Sequence, residues 1–246
     1  MIDVHFNSVD KAIIDVSIRY LKNDLLAIYR AGDAFNCELS KLNTITEADY
    51  LIITRSFLRD LSGFISEVKR TLSPEWRYRV NLEVFQRELL SHFYENCIYP
   101  VVNALLNGKM IYGVRDFNEF KSIRFKASSL SIQYLLCKSL YRFNHIKNSL
   151  LMKNIKDVLR HVLYSIKYSL AAIILWEEGI VVNCFRDILN FLSKADEDLS
   201  QRVLRWIHNM NKSFKSKYHR KNGTKISIPA LFQDFLDLPY YILSYS

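Results

Sequence analysis

Six glycines and four prolines are all that punctuate this chain of 246 residues, and that scarcity limits what it can fold into more than any other feature. Glycine supplies the left-handed backbone of tight turns, and proline the fixed φ that opens them. A chain with so little of either has few places to reverse, which favours long helices over many short strands. Rossmann turns and phosphate loops need glycines at fixed spacing so that backbone can approach phosphate. No glycine pair here has that spacing, so nucleotide chemistry of those kinds is not expected.

The apolar residues repeat with a helical period. Ile14, Ile18, Leu21, Leu25 and Ile28 step by four and three and predict a helix over 8–31 that Gly32 ends. Phe57, Leu61, Phe64, Val68 and Leu72 predict a second over 46–72, with Thr44 and Glu47 as a capping box. Ser73 and Pro74 read as the cap and first residue of a third that stops near Pro100. Residues 107–118, with two glycines, read as a joint. Beyond it Ile123, Ala127, Leu130, Tyr134, Cys137 and Tyr141 mark another helix, and Leu151 through Ile173 a long central one ending at Gly179. A short helix over 184–193 and a last long one carrying Leu199, Val203, Trp206, Met210 and Phe214 complete the series.

The expected fold is therefore all-α, one or more helical bundles of about seven to nine helices, with fewer than about one residue in ten in strands. A helical half over 1–108 is joined through 109–118 to a half over 119–246 with an aromatic tail, Tyr240, Tyr241 and Tyr245. The halves could pack as one domain.

Charge is unevenly placed. Residues 1–119 carry 14 Lys and Arg against 16 Asp and Glu, whereas residues 120–246 carry 20 against 9, so a net of −2 stands beside one of +11. Two stretches have no acid at all. One holds Lys121, Arg124, Lys126, Lys138, Arg142, Lys147, Lys153 and Lys156; the other holds Arg202, Arg205, Lys212, Lys215, Lys217, Arg220, Lys221 and Lys225, interleaved with aromatic residues. Lys and Arg supply most of the affinity in non-specific nucleic-acid binding, and neighbouring aromatics can stack on bases. The partner this pattern predicts is nucleic acid, RNA before DNA, or else an acidic protein surface.

Cys37, Cys97, Cys137 and Cys184 stand far apart, without metal-ligand spacing, and read as buried small hydrophobes. Glu177 with Glu178, and Asp196 to Asp198, read as helix-end or turn acids rather than metal ligands. No metal or cofactor is expected. The chain has neither a signal-peptide pattern nor an uninterrupted membrane span, since Glu177 and Glu178 cut short the run from Leu170 to Trp176. A cytoplasmic protein away from membranes is the expectation.

The sharpest local pattern is Arg87-Glu88-Leu89-Leu90-Ser91-His92-Phe93-Tyr94. An arginine, four residues, a histidine, one residue and a tyrosine resemble the signature of the HEPN superfamily, small helical domains that include metal-independent ribonucleases of toxin and antiviral systems. The resemblance implies His92 as the base on the ribose 2′-hydroxyl, Arg87 as the phosphate clamp and Tyr94 beside them, a chemistry that imidazole and guanidinium suit. A homodimer would complete such a site. A second stretch, the helix ending at Gly179, then Phe185-Arg186-Asp187-Ile188-Leu189 and Asn209 to Arg220, resembles non-catalytic HEPN members that partner nucleotidyltransferases, although that family often has His where Arg186 stands. The function these resemblances imply is RNA binding, with ribonuclease activity of a defence or toxin kind as its catalytic form. The alternative is a non-catalytic helical subunit or adaptor of a ribonucleoprotein or protein assembly.

Overall fold

The helix expected over 8–31 ends at Leu21. In the computed structural model, which describes residues 3–32, 47–113, 117–152, 154–195, 197–198, 201 and 205, α1 (Asp3–Leu21) gives way to one 3-10 turn, Lys22–Asp24. Lys22 adopts φ 50° there, and the chain then extends as β1 (Leu25–Ala31). The buried face of α1 is Val9, Ile13 and Val16, whereas Ile18, part of the expected stripe, is exposed.

The helix expected over 46–72 is likewise two elements. β2 (Ala48–Thr54) precedes α2 (Leu61–Thr71), whose start is fixed by Asp60: its carboxylate accepts from the Gly63 amide at 2.8 Å. Ser73 and Pro74 open only a turn, which leads into β3 (Val80–Gln86). α3 (Leu90–Glu95), α4 (Tyr99–Asn107) and β4 (Lys109–Gly113) follow, so the segment read as a joint contains a strand. Two long helices, α5 (Ser129–Leu151) and α6 (Ile155–Glu178), then pack on each other, and α7 (Phe185–Ala195) comes after them.

The four strands form one mixed sheet in the order β3-β2-β1-β4. β1 runs antiparallel to β2 and β4, and β2 runs parallel to β3. An all-α class is therefore incorrect, and the strands hold slightly more than the one residue in ten expected. The physical reason lies in β1 and β2. Both occupy the middle of the sheet and are buried on both faces, so they lack the regular apolar-polar alternation of a half-exposed strand, and Leu25 and Ile28 of β1 fall in step with the stripe of α1.

One face of the sheet carries the main core. Ile28, Ala48, Tyr50, Ile52 and Val80 pack there against Val9, Ile13 and Val16 of α1 and Phe64 and Val68 of α2. A buried polar cluster pins α1 to the same face. Asp10 takes the Arg30 guanidinium at 2.6 Å and the Tyr50 hydroxyl at 2.7 Å, and burial together with Asp10 holds the Tyr50 phenol above its usual range. The opposite face meets α4, and α5 and α6 reach it through polar side chains.

α6 is the one helix among the described residues long and apolar enough to cross a bilayer, with mean hydropathy 1.4 over an 18-residue window of it; 83 % of that window is buried within the fold. Gly179 ends it in the left-handed conformation, φ 66°, with its amide on the Leu175 carbonyl. Contact density divides the chain into two compact units, 1–190 and 191–246. In the second, the described residues, 191–195 at the end of α7 with 197, 198, 201 and 205, are helical.

Candidate functional site

Alternation along β2 decides where the chemistry sits. Ala48, Tyr50 and Ile52 face the core, so Asp49 points to the other side of the sheet, as does Glu47, the residue just before the strand. The parallel register sets Asn81 opposite Asp49 and Glu83 opposite Leu51. Val80, Leu82 and Val84 belong to the core side, so Asn81 and Glu83 emerge beside Asp49. The Asn81 amide bridges these two acids, donating to Asp49 Oδ1 at 2.8 Å and to Glu47 Oε2 at 3.3 Å.

Gly32, at the end of β1, closes this corner. Its φ is +82°, its amide donates to Asn183 Oδ1 at 2.8 Å, and a Cβ added to it would stand 2.4 Å from Asp49 Oδ2. Only glycine lets the backbone pass so near that carboxylate.

Above the acids lies a pocket of about 430 Å3, counted to its open mouth, lined among others by Asp49, Glu83, Tyr99, Tyr134, Lys138 and Tyr168. Glu83 accepts from the Tyr134 hydroxyl at 2.9 Å and faces Lys138 Nζ at 3.7 Å. Tyr99 and Tyr134 stack with centroids 6.4 Å apart, and the Tyr99 hydroxyl donates to the Val182 carbonyl at 2.6 Å. Burial, reinforced by Glu83, pushes the Tyr134 phenol far above its usual range, and burial does the same to Tyr168. Both therefore stay protonated and present hydroxyls rather than charge.

Glu47 belongs to the same strand face but not to the open pocket. It is 1 % exposed. Its Oε2 accepts from Arg142 at 2.6 Å, its Oε1 faces Arg160 Nε at 3.7 Å, and its amide donates to the Tyr164 hydroxyl oxygen at 2.7 Å. Burial raises the carboxyl, and the two guanidiniums act against that rise. Because arginine does not lose its proton in proteins, two fixed positive charges face this carboxylate. Beside it, burial and the charges of Arg160 and Arg142 push the His161 imidazole down to about 3.

The residues implicated by the HEPN resemblance lie elsewhere. Arg87 sits in a 3-10 turn and His92 in α3, both exposed, with His92 Nδ1 3.3 Å from the Asn96 amide. Tyr94 is fully buried between Phe120 and Phe125, with centroids at 5.5 and 5.9 Å, so it does not share their surface. Lys121, Arg124 and Lys126 are exposed on the segment before α5. Arg205 is exposed and helical; Arg202, Lys212, Lys215, Lys217, Arg220, Lys221 and Lys225 lie outside the described residues. Within the first acid-free stretch, Lys138 and Arg142 turn to Glu83 and Glu47 of their own chain. Of the cysteines, Cys97 and Cys184 are buried, but Cys137 is exposed, contrary to expectation; Cys37 lies outside the described residues.

Sequence reasoning missed Glu47, Asp49, Asn81 and Glu83. The signal was there: acids two apart leading into Tyr50-Leu51-Ile52-Ile53, and a period-two run, Val80-Asn81-Leu82-Glu83-Val84. Among the described residues no group of three or more His, Cys, Asp or Glu gathers around one point as a metal cluster.

No family model and no curated protein sequence matches the chain. Solved structures do. A spectinomycin adenyltransferase from Enterococcus faecialis, solved with ATP and spectinomycin, superposes with a TM-score of 0.54 at 13 % identity, over 96 % of this chain and 98 % of that one. A nucleotidyltransferase-like protein from Exiguobacterium sibiricum aligns at a TM-score of 0.39 and 16 % identity over 96 % and 74 %, too loose to carry an argument. The likeness to the first, together with the mixed sheet, overturns the HEPN resemblance and with it the RNA-binding and ribonuclease reading that rested on a helical fold. The chain has an α/β fold of the kind that adenyltransferase has.

Proposed function

We propose that this protein transfers a nucleotidyl group from a nucleoside triphosphate to a hydroxyl of a small acceptor. The observation that carries the reading is the emergence of Asp49 and Glu83 from adjacent parallel strands into one tyrosine-lined pocket, beside the close approach of Gly32. The fold likeness to an adenyltransferase supports it. In the reaction the acceptor oxygen bonds to the α-phosphorus, the bond from that phosphorus to the bridging oxygen breaks, pyrophosphate leaves, and the acceptor proton is released.

A divalent cation fits this corner. Magnesium is commonly held by one or two carboxylates together with substrate phosphates, and Asp49 and Glu83 are two hard oxygen donors in the pocket wall. When bound, the ion would offset phosphate charge during the displacement. The chain's own groups do the rest. Asn81 fixes the rotamer of Asp49 through its 2.8 Å bond, and the Tyr134 hydroxyl fixes that of Glu83. Lys138 places the pocket's positive charge where a triphosphate needs one. The flat faces of Tyr99 and Tyr134 suit a nucleobase.

Pyrophosphate release from ATP and magnesium, measured with and without candidate hydroxyl acceptors and with spectinomycin as the first, tests the proposal. Failure to bind any of the four nucleoside triphosphates in calorimetry would remove it.

A further inference from the structure

The spacing of Glu47 and Asp49, two apart and on one side of the sheet, would make both of them ligands of any metal in the pocket. The geometry points to a different division of labour. We infer that Glu47 is the anion of an internal ion cluster with Arg142 and Arg160, that these guanidiniums hold the corner where a second cation would otherwise stand, and that the pocket takes one divalent ion through Asp49 and Glu83. The count of ions rests on the nucleotidyl-transfer reading; the cluster does not.

The two carboxylates differ in what surrounds them. Asp49 is half-buried and lines the pocket, with Asn81 as its amide partner. Glu47 does not line it, and its side chain is 1 % exposed against 6 % for Arg142 and 8 % for Arg160. The arginines come from different helices, Arg142 from α5 and Arg160 from α6, so both long helices converge on this single carboxylate. Arg142 lies 5.8 Å from the ring centres of both Tyr141 and Tyr164, and Arg160 takes Asp157 at 2.9 Å. Each guanidinium is thus held by more than its ion pair with Glu47. Neither can lose its charge to make room for a metal. A divalent ion placed at Glu47 would face two fixed positive charges in a poorly screened interior.

The test uses the full chain and two readouts. The first is the number of Mn2+ ions bound, counted by paramagnetic resonance of free Mn2+ with a non-hydrolysable ATP analogue present. One ion is expected for the native chain, one for Glu47→Gln with affinity within about twofold, and none for Asp49→Asn. Two ions in the native chain, or loss of Mn2+ in Glu47→Gln, would overturn the inference.

The second readout is thermal unfolding with EDTA and no nucleotide. Glu47→Gln should lower the midpoint by about 10 °C, and the loss should largely disappear when Arg142→Gln is already present. Additive losses would show that the cluster does not exist as described. Should Glu47→Gln fail to fold, the pair Glu47→Gln with Arg142→Gln, which removes both charges together, is measured instead. That pair should fold and still bind one Mn2+, and a pair that folds but binds none would overturn the inference. If the native chain binds no Mn2+ with any nucleotide, the nucleotidyl-transfer reading fails, while the unfolding cycle still decides the cluster.

Discussion

The sheet and the long helix pair bring opposite charges to one place. From β2 and β3 and the residue before β2 come Glu47, Asp49 and Glu83; from α5 and α6 come Lys138, Arg142 and Arg160. The acid-free stretch of α5 is therefore not simply a solvated face, because two of its basic residues are spent inside the chain. A basic run that looks like the footprint of an external polyanion can be half of an internal pairing whose other half lies far away in sequence. Arg142 and Glu47 are 95 residues apart.

The largest expected effect falls on the sheet side. Asp49→Asn keeps the shape and the Asn81 neighbour but removes the charge that faces the pocket. The proposed nucleotidyl transfer should fall on the order of a thousandfold with the unfolding midpoint almost unchanged. Steady-state rates and a melting curve on the same preparation check both halves of that statement. A variant that retains more than a tenth of the native rate would place the chemistry elsewhere.

Gly32→Ala should come next, and it should affect stability as well as rate. The left-handed backbone at φ +82° costs a residue with a Cβ about 1 kcal/mol or more, and that Cβ would press on Asp49 Oδ2. A midpoint lowered by about 5 °C, with activity down roughly tenfold, is the expected pair of results. Lost stability with full activity would show that the corner tolerates movement of Asp49.

On the helix side, His161 offers a pH test. Its imidazole, facing Arg160, Arg142 and His145, is pushed down to about 3, whereas in the unfolded chain it titrates near about 6.5. Above the unfolded value neither state binds the proton, so the histidine makes stability independent of pH there. As pH falls below it, the unfolded chain takes up a proton that the folded chain refuses, and stability declines by about 1.4 kcal/mol per unit until the folded value is reached. His161→Phe should flatten that part of the denaturation profile between pH 6.5 and 5. An unchanged slope would mean that other groups set the acid limb.

The two regions also differed in how readable they were. α5 and α6 are 23 and 24 residues long, enough turns for the helical period to stand out, and Gly179 marks the end of the second with the residue type such an end prefers. The strands are at most seven residues long, and the two central ones lack an exposed face. Leu21, Leu25 and Ile28 fit a three-and-four stepping pattern even though only the first is helical. Glu47, read as the far end of a capping box, lost its relation to Asp49. The glycine argument reached only sites made of glycine-rich backbone. The proposed site of strand carboxylates lies outside its scope and needs one glycine, Gly32, where the backbone passes Asp49.

Lys138 is where the two regions can be separated most finely. Its ion pair with Glu83 is 3.7 Å long and about a third exposed at each end, 29 % and 32 %, so solvent screens it and its loss should change stability by less than about 0.5 kcal/mol. A triphosphate entering the pocket brings several negative charges to the same ammonium. Lys138→Ala should therefore weaken nucleotide binding about fivefold while the melting curve stays in place, and the deficit should shrink as salt is raised, because screening removes the same attraction from the native protein. Lys147→Ala, also on α5 but exposed, serves as the control and should bind as the native chain does. Equal weakening in both would assign the effect to the general field of the helix. Weakening confined to Lys138, and dependent on salt, would place the phosphates at the meeting point of sheet and helix pair.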